Sequence, residues 1–235
     1  MILCHEWRFI FLKTPKTAGT SLEFALSALC GPDDILTPTG PIEEEYLRLG
    51  CGAQNYIRGR PDLPRKTRED GVVMPNNHVD FFNHMPADKA KAAIDEDIWN
   101  GYFKFAFTRN PWDREVSRYL FDKRHHNVTG DMNFHDYFLS LEKPRGQSWR
   151  ILSIDGEVAV DFVGRYERIE EDFRTALEKV GWTKPLEIPR AKGKFRQKEE
   201  RDYRPFFDEE TNARIMQWYG PEIAAFNYSF DDFGK

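Results

Sequence analysis

The chain has 235 residues, 40% hydrophobic and 31% charged, which is enough for one well-buried domain over 1–235. Its net charge of −5 argues against a general nucleic-acid binder, and no apolar run approaches the roughly 20 residues of a membrane span. Cys4, Cys30 and Cys51, odd in number and in no metal-type spacing, read as reduced structural thiols; with no secretory leader visible, this predicts a cytoplasmic protein.

In chain order, residues 7–12 (WRFIFL) predict a buried strand. A helix follows over 20–30, with Leu22, Ala25, Leu26 and Leu29 on one face, a capping box from Thr20 and Glu23, and a stop at Gly31-Pro32. Residues 31–76, rich in Pro, Gly and charge, predict a long excursion with little regular structure. Then come a helix over 87–98, a strand over 102–108, a helix from about Asp113 to Lys123 and a shorter helix over 133–141. The stretch 158–167 predicts a third strand, leading to a helix over 168–180 that Gly181 ends, and a last helix covers 208–219. Strands alternating with helices imply an α/β fold with a mainly parallel sheet flanked by helices.

Two strand–turn–helix junctions carry chemistry. The first, "FLKTPKTAGTS", is nearly a Walker loop, but its lysine stands at Lys16, before Gly19, rather than next to the closing Ser/Thr. A helix N-terminus offers unpaired amides and a favourable dipole to an anion. Gly19 lets the backbone come close, Thr17, Thr20 and Ser21 add hydroxyls, and Lys16 adds a cation. The second, "FAFTRNPWDREVSRY", ends a strand in Arg109 and places Ser117 in the first turns of the next helix. Arginine offers a planar fork to phosphate, and parallel α/β sheets bind ligands at this edge. Two such units predict a ligand with two separated phosphates.

"PKTAGTS" and "RNPWDREVSRY" resemble the two nucleotide-binding motifs of the sulfotransferases, most closely the Golgi carbohydrate sulfotransferases and their bacterial relatives, and "YFKFAF", "GRYERIEEDF" and "FNYSFDD" extend the likeness over most of the chain. The resemblance implies a P-loop-like three-layer fold and the donor 3′-phosphoadenosine 5′-phosphosulfate (PAPS), used without a required metal. It implies that Lys16, Thr17, Ala18, Gly19, Thr20 and Ser21 hold the 5′-phosphosulfate and that Arg109 and Ser117 hold the 3′-phosphate. It further implies a basic loop over 190–204, with Arg190 and Lys194, that closes over the nucleotide, and an acceptor surface within 31–86. Carbohydrate sulfation or sulfation of another alcohol is the expected activity.

Transfer to a hydroxyl needs a base. His84, at the Pro86 helix start, is the first candidate and His78 the second; Asp80 and Glu115 are carboxylate alternatives. A histidine base predicts an acid limb around pH 6 to 7. Two other functions fit parts of the pattern: a P-loop kinase, for which Asp161 in "AVDF" is the nearest Walker B carboxylate, and a nucleotide-binding module without catalysis.

Overall fold

A computed structural model describes residues 1–39, 46–57, 66–67, 73–74, 80–125, 131–191 and 200–233. The central sheet has five strands: β1 (Ile2–Cys4), β2 (Phe9–Leu12), β3 (Ile35–Leu36), β6 (Phe103–Thr108) and β9 (Phe162–Arg165). Their order is β3-β1-β2-β6-β9. β2, β6 and β9 pair in parallel, whereas β1 is antiparallel to both β2 and β3. Four strands therefore run one way and β1 alone runs back. Two further pairs, β4 (Lys66–Thr67) with β5 (Val73–Met74) and β7 (Ser153–Ile154) with β8 (Glu157–Val158), form small hairpins outside this sheet.

The helices are α1 (Gly19–Leu26), α2 (Ala87–Ala93), α3 (Glu96–Gly101), α4 (Pro111–His125), α5 (Phe134–Ser140), α6 (Ser148–Leu152), α7 (Ile169–Lys179) and α8 (Glu209–Phe226). Side chains alternate across a strand, so β2 sends Ile10 and Leu12 to one buried cluster and Phe9 and Phe11 to another. β6 divides likewise, with Ala106 on the first face and Phe105 and Phe107 on the second. α2, α3 and α6 cover the first face; α1 and α7 cover the second. Burial on both faces explains why these strands read as continuous apolar runs. A third cluster, rich in aromatic rings, joins α4, α5 and α8.

Several boundaries differ from expectation. The strand β3 and the short β1 complete the sheet inside or before stretches read as irregular. The helix expected over 87–98 is two helices, because Ile94 and Asp95 leave the helical conformation. The Thr20–Glu23 capping box does not form: Ala18 is the N-cap, without a side-chain cap, and Glu23 instead accepts hydrogen bonds from the Lys13 ammonium (2.7 Å) and the Met1 amine. α4 starts at Pro111 under the Asn110 side chain, whose oxygen accepts from the Trp112 N–H at 3.0 Å, rather than at Asp113. α8 has a capping box of its own, Asp208 with Thr211, and runs through Pro221 to Phe226. There the buried Tyr219, Glu222 and Ile223 hold it against its neighbours, and tertiary packing overrides the proline.

Candidate active site

β2 and β6 are parallel neighbours, so the turns that leave their carboxyl ends lie side by side. Between them opens a cavity of about 1020 Å³. Its walls include Lys16, Ala18, Gly19, Thr20 and Ser21 from the first turn, and Arg109 and Ser117 from the second. His84 and Arg190 line it as well. Residues remote in sequence are thus gathered at one sheet edge, as two parallel strand–turn–helix units dictate.

The first turn is built for close approach. Lys16 (φ 61°) and Ala18 (φ 56°) both take the left-handed conformation, which costs a non-glycine residue on the order of 1–2 kcal/mol. Strain of this kind gathers at binding sites, where successive amides converge on one point. Thr14 and Thr17 brace the turn from behind. The Thr14 hydroxyl bonds the Phe107 carbonyl of β6, and the Thr17 hydroxyl donates to the Thr14 carbonyl at 3.0 Å. Thr17 is buried, its hydroxyl is engaged within the turn, and it is absent from the cavity lining. Gly19 has a reason the sequence did not reveal: a Cβ there would meet Lys13 Cγ at 2.6 Å. It makes room for the Lys13 stem on its way to Glu23. Burial works against the Glu23 carboxylate, but Lys13 and the Met1 amine hold it ionised, down to about 2. Ser21 Oγ accepts the Ala191 N–H at 3.1 Å, so the chain around Arg190 lies directly on the start of α1.

Arg109 is the hub of the second turn. Its Nη1 donates to the Lys16 carbonyl at 2.9 Å and to Ser117 Oγ at 3.1 Å. Its Nε donates to Asp113 at 2.7 Å, and its guanidinium lies 4.0 Å from the centre of the Tyr166 ring. Burial alone would weaken its charge, but the Asp113 carboxylate more than compensates and raises its pKa. Arg109 therefore ties the first turn to α4. The Lys16 ammonium reaches the same helix, 3.9 Å from the centre of the Phe121 ring. Phe121 and Tyr166 escaped the sequence reading; Phe121 stands four residues after Ser117, on one helix face, which is the signal that finds it.

His84 also has a left-handed backbone (φ 59°), and its Nδ1 sits 3.0 Å from the Lys13 carbonyl. A carbonyl only accepts, so Nδ1 carries the proton and Nε2 keeps its lone pair. Burial, then the Lys13 ammonium, pulls the imidazole down to about 4. Asn83, beside it on the cavity wall, has a buried Oδ1 without a hydrogen-bond partner. Glu115, the carboxylate alternative, is buried against Tyr219, which donates to it at 2.9 Å, and is absent from the cavity lining; Asp80 is absent from it too. Asp161 lies just before β9, where it accepts from the Lys104 N–H at 2.7 Å. That is the opposite edge of the sheet, so it cannot serve a magnesium ion at the cavity. His78 and Lys194 lie outside the described residues.

Sheet order, paired turns and the cavity between them define an α/β protein with a crevice at the carboxyl edge of its parallel strands, lined by the cations Lys16, Arg109 and Arg190 and by the hydroxyls of Thr20, Ser21 and Ser117. The sulfotransferase family model matches residues 1–229, and the chain belongs to that family. It is 32% identical over 114 residues to an uncharacterized protein of Archaeoglobus fulgidus, a match covering 44% of this chain and 88% of that one. No solved structure matches it. Among the described residues, no helix is long and apolar enough to cross a membrane.

Proposed function

We propose that the chain moves a sulfuryl group from PAPS to a hydroxyl of a carbohydrate or other alcohol, on a P-loop-like scaffold. The observation that carries the reading is the Arg109 guanidinium, which touches Ser117 and the Lys16 carbonyl at once. One donor with a phosphate at each end of its ribose fits two anion units joined in this way. The first turn, with Lys16, Ala18, Gly19, Thr20 and Ser21, would hold the 5′-phosphosulfate. Arg109 and Ser117 would hold the 3′-phosphate, with Arg190 and Lys194 over the nucleotide.

In the reaction the acceptor oxygen attacks sulfur, the bond from sulfur to the bridging phosphate oxygen breaks, and adenosine 3′,5′-bisphosphate leaves. His84 Nε2 takes the hydroxyl proton. Lys16 offsets the charge that grows on the bridging oxygen. Lys16→Ala should therefore lose about 10²–10³-fold in turnover while bisphosphate affinity falls modestly, because the ammonium acts mainly on the transition state. Turnover and affinity lost in equal measure would contradict that role.

Adenosine 3′,5′-bisphosphate without magnesium should raise the melting temperature. At a hundredfold excess over Kd the stabilisation is about 2.7 kcal/mol, or roughly 5–10 °C for a chain of this size. Stabilisation by ATP-Mg and none by the bisphosphate would favour the kinase, which the position of Asp161 already disfavours.

Arg109→Ala should remove a charge-assisted contact of about 1.5–3 kcal/mol. The bisphosphate should suffer far more than adenosine 5′-phosphate, and taking the ratio of the two removes any general loosening of the turn. Equal losses would detach Arg109 from the 3′ end.

A further inference from the structure

The three cysteines of the chain gather at one corner of the sheet, although long stretches of sequence separate them. The sulfurs of Cys4 and Cys30 and a carboxylate oxygen of Asp34 all lie within 4.8 Å of one another. The Cys51 thiol donates to the Cys30 carbonyl at 3.0 Å, and its sulfur stays outside that group. Cys4 belongs to β1 and pairs with Phe9, so the corner lies at the edge of the sheet opposite the cavity. Cys30 follows the 3-10 turn Ser27–Leu29 that continues α1.

Asp34 supplies a second observation. It is only 2% exposed, yet among the described residues it has no ion-pair partner. Its Oδ1 accepts the His5 N–H at 2.6 Å and its Oδ2 the Gly31 N–H at 2.8 Å. These bonds fix the carboxylate and leave each oxygen a further lone pair, as outer partners do for a ligating carboxylate. The thiols donate to backbone carbonyls, Cys4 to Leu29 and Cys30 to Leu26, each at 3.4 Å, weak bonds that a metal ion would replace. A buried anion calls for a cation, and sulfur donors select a soft one.

We propose that Cys4, Cys30 and Asp34 bind a thiophilic divalent cation of the zinc class, with a water as the fourth ligand. Each thiol that binds gives its proton to the solvent, and the metal closes a tetrahedral set of sulfur and oxygen ligands. Such an ion staples the far end of α1 to β1. It takes no part in transfer chemistry, and the site stands whether or not the donor is PAPS.

Cobalt(II) titration of the reduced chain tests this. One equivalent should give thiolate-to-cobalt charge-transfer absorption and the visible bands of a tetrahedral ion, with release of protons. Zinc should displace the cobalt and raise the melting temperature. Cys30→Ser alters a partly exposed position and should weaken cobalt binding at least about tenfold while the chain stays folded by circular dichroism. Asp34→Asn should do the same where it folds. Cobalt spectra without charge transfer, equal affinity in Cys30→Ser, or no thermal response to zinc would overturn the site.

Discussion

Glu222→Ala should cost about 3–5 kcal/mol of folding stability, measured by denaturant unfolding. Glu222 on α8 and Arg114 on α4 are both fully buried. Their contact is bidentate, Nη2 to Oε2 at 2.9 Å and Nη1 to Oε1 alongside. Thr108 donates to Glu222 at 2.8 Å, and Arg114 donates to Ser148 at 2.9 Å. Alanine would strip the buried guanidinium of its bidentate partner and leave it only Glu115, 3.8 Å away, as counter-charge, and the cost of that loss sets the magnitude. The double variant Arg114→Met, Glu222→Leu removes both charges and should recover part of the loss, since apolar residues of similar volume replace buried pairs at little cost while Glu115 keeps Arg118 at 3.8 Å. Thr108 immediately precedes Arg109, and Arg114 shares a helix with Ser117, so the single variant should also weaken bisphosphate binding. A single variant costing under 1 kcal/mol, or a double variant costing the sum of both singles, would refute this account.

The strands β2 and β6 were legible because burial on both faces makes them apolar runs, and the two turns because Gly, Pro and hydroxyl residues cluster where each run ends; β9, a partly buried edge strand, takes up only Phe162–Arg165 of the stretch 158–167. β1 and β3 were not legible. Three residues, Ile2–Cys4, carry no periodicity, and only pairing with β2 and β3 makes them strands. The Thr20–Glu23 spacing matched a capping box, but the Lys13 ammonium across the turn claims Glu23. Nothing local announces that partner, because it depends on how β2 aims its last residues under α1. The same holds for Gly19, read as space for a ligand: it lines the cavity, and its missing Cβ also makes room for Lys13. At the candidate site, sequence reached the residues on the two turns, whereas Phe121, Tyr166 and Asn83 join the cavity through the packing of elements that follow or precede those turns.

His84→Ala should lose about 10²–10⁴-fold in turnover, the usual weight of a general base, with bisphosphate affinity nearly unchanged because the base meets the acceptor. The pH dependence separates this role from a structural one. A free histidine would give an acid limb at 6 to 7, but burial and the Lys13 ammonium hold His84 near 4. A base works unprotonated, so activity should be retained from neutral pH downward and lost only as the pH falls through that value. The limb should appear in kcat/KM, which reports the free enzyme. In kcat it should lie higher, since a bound anionic donor favours the imidazolium and opposes Lys13. Both limbs should vanish in His84→Ala, and an NMR titration of the His84 ring in the unliganded protein should show a midpoint well below 6. A midpoint at 6 to 7 would mean that burial and the Lys13 ammonium do not set its environment. Full turnover in His84→Ala with none in His78→Ala would move the base to the other histidine, and full turnover in both would leave a carboxylate to take the proton.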